Sequence, residues 1–337
     1  MYTKEFILNE VNAIRAEIGH DEVNIFIEEI YFENNEMWII TEDRPDKSAI
    51  IGKGGWVVGK LKEKLGLDSI HVESYGDFLN KNYKLKLSKK TVHNVNLDSS
   101  GLKNLERTID CKLENIYSFN FDKYFSENEF EESSRTEAVV ALSGGVDSSF
   151  SLILAKKLGF NPVAVTVDPG TIILPNQFKK NIKVLVESLG VKHEYIEADY
   201  SDVISESFTG NVHPCGRCSK NTGQLVKQYS KDNEIPIIIF GDMLATGSQC
   251  INLQEDSLYR LNLPASLSVG KQEIKSLIRN YDLQTFKGFG CPLLYEVHKK
   301  FPHMRKFSIQ RILRETRSGA LEPGEALDLI WSFNKVK

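Results

Sequence analysis

The 337-residue chain has no apolar run near the roughly 20 residues needed to span a bilayer, so no membrane partner is expected. Its opening residues, Met1-Tyr-Thr-Lys-Glu5, carry no apolar core of a secretion signal, and a cytoplasmic location is the expectation. A large charge of either sign is also missing. The formal net charge of -4 excludes a global pull on nucleic acid and leaves local patches as the route to such a partner. Cysteine is scarce: five residues do not make a disulfide scaffold, and clustered thiols in a reducing compartment point instead to metal or sulfur chemistry. The GxxxxGK[ST] phosphate-loop spacing is absent, and there is no internal repeat or low-complexity tract. The length is enough for two domains or three.

What is present is most informative at Glu137-Ala-Val-Val-Ala-Leu-Ser-Gly-Gly-Val-Asp-Ser-Ser-Phe150. A short apolar strand runs into a Ser/Gly turn, and the turn runs straight into a helix. Gly144 and Gly145 let the backbone fold tightly and approach a ligand closely. The N–H groups of residues 143–149, with Val146 among them, then point out of a helix start with no intrahelical acceptor, an arrangement that binds anions. The hydroxyls of Ser143, Ser148 and Ser149 add donors, and Asp147 is placed to hold a magnesium ion or to orient the loop. Such a device grips a pyrophosphate.

The S-G-G-V-D-S-S string resembles the PP-loop of the ATP pyrophosphatase superfamily. That resemblance implies an enzyme that spends ATP to adenylate a substrate oxygen, releases pyrophosphate and lets a nucleophile displace AMP. From residue 136 onward β and α segments alternate. Strands are expected at 138–142, 162–167, 192–197 and 236–240, and helices at 147–158, 177–189 and after Cys218. The expected fold is α/β, an open parallel sheet with helices on both faces, of the adenine nucleotide alpha hydrolase-like kind that the resemblance implies. Ligands of such sheets sit beyond the carboxyl ends of the strands. That edge holds the loop, Asp168-Pro169-Gly170, and Gly241-Asp242.

The first 76 residues read helix, strand, strand, helix, turn, helix, strand, with Ile51-Gly52-Lys53-Gly54-Gly55 between two helices. This order resembles a type II KH domain, an α+β module. The resemblance implies that Gly52, Lys53, Gly54 and Gly55 clamp the backbone of single-stranded RNA. Lys47, Lys53, Lys60, Lys62 and Lys64 face one nearby acid, Glu63, and a second lysine run covers residues 81–90. Residues 77–134 form a helical and linker region, with a helix over 99–116 and an acidic linker at 125–135. The PP-loop domain with its cysteines then spans 135–300, and 301–337 is a helical extension.

Cys215-Gly-Arg-Cys218 follows His213-Pro214, and Cys291 stands well downstream in Gly-Phe-Gly-Cys-Pro. A CxxC pair brings two thiolates to one metal or cluster, and a distant third can close the site. Four readings stand side by side. They are a [4Fe-4S] cluster with one open iron, a persulfide-carrying redox pair with a low-pKa thiolate, zinc completed by His213, and unrelated buried thiols. A PP-loop, then CxxC, then a single Cys-Pro resembles the iron–sulfur-dependent tRNA thiolases over about residues 136–300. Within that resemblance Cys215, Cys218 and Cys291 fall on the cluster ligands, residues 143–149 on the ATP loop, and Asp242 on the acidic residue after a later strand. Arg260-Leu-Asn-Leu-Pro264 and Lys271-Gln-Glu-Ile274 resemble that family's stretch before its third cysteine. Lys220, with Lys227 next, is the nearest counterpart of the lysine after CxxC.

The chain lacks those enzymes' zinc-ribbon cysteines and THUMP-type RNA domain. The resemblance implies an ATP-dependent tRNA sulfurtransferase that uses ATP, Mg2+ and a [4Fe-4S] cluster and draws sulfur from free sulfide or a sulfur carrier. The alternatives are a PP-loop ligase or sulfur-transfer enzyme acting on a small molecule, its N-terminal domain serving a homodimer, and a non-catalytic RNA-binding protein.

Overall fold

Two sheets organise the chain. The computed structural model describes residues 2–128, 130, 136–255, 257–284 and 289–334. Contacts divide it into two units, residues up to 83 with 114–119, and 84–113 with all from 120 onward.

In the first unit α1 (Lys4–Glu17) starts where the Thr3 hydroxyl accepts from the Phe6 N–H at 3.1 Å, and it buries Ile7, Val11 and Ile14 along one stripe. Strands β1 (Ile27–Glu33) and β2 (Glu36–Thr41) form an antiparallel hairpin. Asn34 and Asn35 take positive φ at its turn, the conformation a tight two-residue hairpin demands. After α2 (Arg44–Ile51) and α3 (Trp56–Leu65) comes β3 (Ser69–Ser74), which pairs parallel to β2 and makes the order β1-β2-β3. The expected order of elements is therefore the observed one. The loop between α2 and α3 turns at Gly52, φ +69°, where a Cβ would stand 2.3 Å from Val57 Cγ2. The lysines beside it are less free than the sequence suggests. Lys47 is buried against Glu73 at 2.9 Å and Lys64 pairs with Glu10, acids that come from other elements, while Lys60 pairs with Glu63 on its own helix. Lys53 and Lys62 form no ion pair among the described residues.

Residues 77–134 are mostly helix: α4 (Tyr75–His93), α5 (Ser100–Glu114) and α6 (Phe121–Glu127). The Ser99 hydroxyl caps α5 by accepting from the Leu102 N–H at 3.3 Å. Of the linker expected at 125–135, the first three residues end α6; residues 129 and 131–135 lie outside the described residues.

The second unit is built on β4 (Glu137–Ala141), β5 (Asn161–Asp168), β6 (Lys192–Glu197) and β7 (Ile237–Phe240), all parallel. Sequence periodicity missed β8 (Ile251–Glu255) and β9 (Leu258–Asn262), whose short mixed runs resemble a loop. β9 pairs parallel to β7, and β8 closes the edge antiparallel, for a final order β6-β5-β4-β7-β9-β8. Helices α7 (Val146–Lys157), α8 (Asn176–Leu189), α9 (Ser201–Ser207) and α10 (Pro214–Asp232) lie between the strands. After the sheet come α11 (Leu263–Ser266), α12 (Lys271–Ile278), α13 (Pro292–Lys300), α14 (Arg305–Arg317) and α15 (Pro323–Asn334). Chain order reverses direction across the sheet at β4 and β7, and a crevice opens at such a switch. β4 is buried at Ala138, Val139 and Val140, as a central parallel strand covered on both faces must be. Among the described residues no helix is long and apolar enough to cross a membrane.

Lys112 of α5 is fully buried, with its ammonium 2.5 Å from Glu273 Oε1 and 5.1 Å from the Phe121 ring centroid. Removing one partner of such a pair strands the other's charge. Lys112→Met is expected to lower stability by about 3 kcal/mol in urea unfolding, and adding Glu273→Leu to restore much of that loss.

Candidate active site

The loop after β4 is shaped by its neighbours. Gly144 has φ +72°, and a Cβ there would meet the Phe178 carbonyl oxygen of α8 at 2.5 Å, so only glycine fits. The Ser148 hydroxyl donates to the Gly145 carbonyl at 3.0 Å and accepts from the Ser143 N–H at 3.1 Å, which locks the turn. Ser143 Oγ is 3.0 Å from the same hydroxyl. α7 starts at Val146, and the first backbone N–H it returns to the turn is that of Ser149, to the Gly145 carbonyl. Those of Val146, Asp147 and Ser148 therefore face outward as an anion site. Ser149 Oγ is buried and has no hydrogen-bond partner among the described residues. Gly241, the residue after β7, approaches so closely that a Cβ would stand 2.9 Å from the Asp147 carbonyl carbon. The two strand ends thus meet at the switch point.

Lys271 is the functional residue that sequence reasoning left without a role. It is the first residue of α12, and its ammonium lies 2.5 Å from both carboxylate oxygens of Asp147. Glu273 holds that helix start by accepting the Gly270 N–H at 2.9 Å, and Lys112 in turn holds Glu273. The signal available in sequence was a lysine just after Gly270, where a helix could begin.

Asn181, almost fully buried on α8, is a second tie. Its amide reaches the Gly144 carbonyl at 3.4 Å and exchanges hydrogen bonds with the Gln284 backbone at 2.9 and 3.0 Å. Gln284 opens the stretch that leads to Cys291, and residues 285–288 lie outside the described residues. Cys291 is the N-cap of α13, whose Leu293 N–H donates to the Ile172 carbonyl beyond β5 at 2.9 Å. The CxxC pair lies inside α10, not ahead of it. Pro214 takes the first helical position, where a missing N–H costs nothing, so Cys215 and Cys218 occupy the first turns of the helix.

The three thiols sense one another. Burial pushes Cys215 up to about 11 and Cys218 up to about 12, and the charge of Cys291 adds to both. Burial raises Cys291 as well. A low-pKa thiolate at the start of α10 is therefore not what the fold makes, because desolvation outweighs the helix end. Among the described residues, no group of three or more His, Cys, Asp or Glu is spaced to hold a metal ion. His213 Nε2 is 3.3 Å from the Ser308 hydroxyl, which lies 3.1 Å from His298 Nε2; burial lowers His298 to about 4, so its ring is neutral.

Arg311 of α14 donates to Glu315 Oε1 at 3.1 Å; desolvation works against its charge, but Glu315 outweighs it and holds the pKa raised. Asp242 is exposed and engaged by Arg260 at 2.6 Å, with the guanidinium 4.1 Å above the Phe240 ring. Lys220 is exposed on α10 beyond the cysteines.

No family model matches the chain. The uncharacterized protein MJ1638 of Methanocaldococcus jannaschii is 32% identical over 248 residues, which is 73% of this chain and 90% of that protein. The chain belongs to the MJ1638 family. The tRNA-specific 2-thiouridylase MnmA of Persephonella marina is 27% identical over 140 residues, 36% of this chain and 37% of that enzyme. The NH(3)-dependent NAD(+) synthetase of Staphylothermus marinus is 33% identical over 94 residues, 26% of this chain and 34% of that enzyme. With the loop geometry, these place this MJ1638-family chain among the relatives of the PP-loop ATP pyrophosphatases, as an ATP-using enzyme. Two solved structures align loosely, both 15% identical: the U34-tRNA thiolase NcsA from Methanococcus maripaludis with its [4Fe-4S] cluster, and the NMN synthetase from Francisella tularensis. Their TM-scores are 0.38 and 0.39, over 70% and 71% of this chain and 78% and 94% of theirs, and at that level they bear no argument.

Two outcomes check this geometry. Gly144→Ala, which forces a methyl against Phe178, is expected to weaken Mg-ATP binding at least about tenfold in equilibrium dialysis. In the metal-free protein, alkylation of Cys215 and Cys218 by iodoacetamide should keep accelerating as pH rises past about 9, because the buried thiols hold their protons longer than a free cysteine. Peptide mass spectrometry reads the rate at each site, and a plateau near pH ~8.5 is the contrary result.

Proposed function

We propose that this chain is an ATP-dependent tRNA thiolase, which adenylates a pyrimidine carbonyl and replaces its oxygen with sulfur. The observation that supports the reading is the strand–turn–helix of residues 137–157, where position 144 fits only glycine and Gly241 brings the end of β7 against Asp147. The relation to a tRNA-specific 2-thiouridylase supports the substrate class.

Cys215, Cys218 and Cys291 are three soft sulfur donors that would hold a [4Fe-4S] cluster, and such a cluster would supply a site for the incoming sulfur. The chain's own residues do the rest. The outward N–H groups of 146–148 and the Ser143, Ser148 and Ser149 hydroxyls grip the β- and γ-phosphates. Asp147 would hold magnesium, and Lys271, released from it, turns to the phosphates. The base carbonyl oxygen attacks the α-phosphorus in line, a P–O bond forms, and pyrophosphate leaves. Sulfide sulfur, from free sulfide or a carrier, then bonds to the activated carbon and AMP departs with the former carbonyl oxygen. Positioning and charge neutralisation supply most of the barrier reduction. In the first unit the KH-like loop, Gly52, Lys53, Gly54 and Gly55, grips single-stranded RNA, with Lys53 the cation best placed to meet a phosphate.

Asp147→Ala is expected to reduce ATP-dependent thiolation at least about a hundredfold; retained turnover removes the loop from the mechanism. Anaerobic reconstitution with iron and sulfide should give a brown protein with about four irons per chain, lost when Cys291 is replaced by Ala. A second reading, a PP-loop enzyme acting on a small molecule, is favoured by the relation to an NAD(+) synthetase. Mass spectrometry of tRNA nucleosides from a deletion strain separates them: a missing thiolated nucleoside supports the first, intact tRNA the second.

A further inference from the structure

A cleft of 430 Å³ lies beside α10. Its walls are one face of that helix, with Gly216, Lys220, Gly223 and Lys227 recurring at helical spacing, and the sheet residues Phe240 and Arg260. No residue of the 143–149 loop lines it, so it is not the nucleotide-phosphate site already described.

Three features say what it takes. First, the walls carry three cations. Glu255 holds Lys227 at 2.5 Å and Asp242 holds Arg260 at 2.6 Å, while Lys220 forms no ion pair among the described residues. The cleft therefore keeps an uncompensated positive charge for an anion. Second, Arg260 lies flat over Phe240 with its guanidinium carbon 4.1 Å from the ring centroid, a cationic plate of the kind on which nucleobases stack. Third, Gly216 and Gly223 leave open space, with nothing within 4 Å of a built Cβ. Glycine inside a helix costs about 1 kcal/mol relative to alanine, and no packing contact here requires it. The two glycines keep the cleft hollow.

We propose that this cleft seats the acceptor nucleotide of the RNA substrate, its phosphate on Lys220 and Lys227 and its base on the Arg260–Phe240 plate. The assignment rests on the thiolase reading. Lys220 then serves substrate seating, and Lys227 would exchange Glu255 for the RNA phosphate.

The test compares full-length wild type, Lys220→Met and Gly223→Leu for binding of unfractionated tRNA across a salt series, with thermal midpoints recorded. Lys220→Met should weaken binding about tenfold and reduce the slope of log K against log salt by about 0.7, the loss of one phosphate contact to a single strand. Gly223→Leu fills the cleft while improving helix propensity, so it should weaken binding at least as much with a thermal midpoint no lower than wild type. Variants that bind tRNA with wild-type affinity and slope overturn the cleft assignment and leave the thiolase reading standing. A wild type that binds no tRNA overturns both.

Discussion

The contact between Lys271 and Asp147 is the constraint on which the site depends. A loop built to receive phosphates concentrates outward N–H groups at the start of a helix, and that positive end needs an anion when no nucleotide is bound. Asp147 supplies it from within the loop, and Lys271 reaches across from α12 to balance the carboxylate. The balance is held in place by a relay of charges. Buried Lys112 fixes Glu273, Glu273 fixes the N–H of Gly270, and the start of α12 then aims Lys271. The start of α12 is thus tied to the loop by one ion pair, to Asp147, and to α5 by another, from Glu273 to Lys112.

The thiol group obeys the opposite logic. Cys215, Cys218 and Cys291 are brought together by burial, and burial favours the neutral form of each. Without a cation among them the sulfurs are thiols, protected from oxidants and slow as nucleophiles. A positive partner would work against that preference at each of them.

The loop of residues 143–149 was legible because its chemistry is local: strand, turn and helix start lie within fourteen consecutive residues. The parallel strands β4, β5 and β7 were legible for the same reason, as continuous apolar runs bounded by turns. β8 and β9 were not, because their polar and apolar residues mix and their strand character comes from pairing, β9 with β7 and β8 with β9. The lysines of the first unit misled in the same way. Lys47, Lys60 and Lys64 look like a basic face, yet their partners Glu73 and Glu10 are far away in sequence and only Glu63 is near.

From its order of residues alone this chain determined a Ser/Gly turn between strand and helix on a parallel sheet, a glycine loop between two N-terminal helices, and a CxxC with a distant third cysteine. Each depends on backbone geometry or spacing within a few residues, which sequence encodes directly. Only the tertiary structure decided that Lys271 and Asn181 join that turn, that α10 begins ahead of its cysteines, and that burial raises the thiols' pKa. Those outcomes depend on which side chains meet across long loops and on how much water is excluded where they meet, and no local pattern records either.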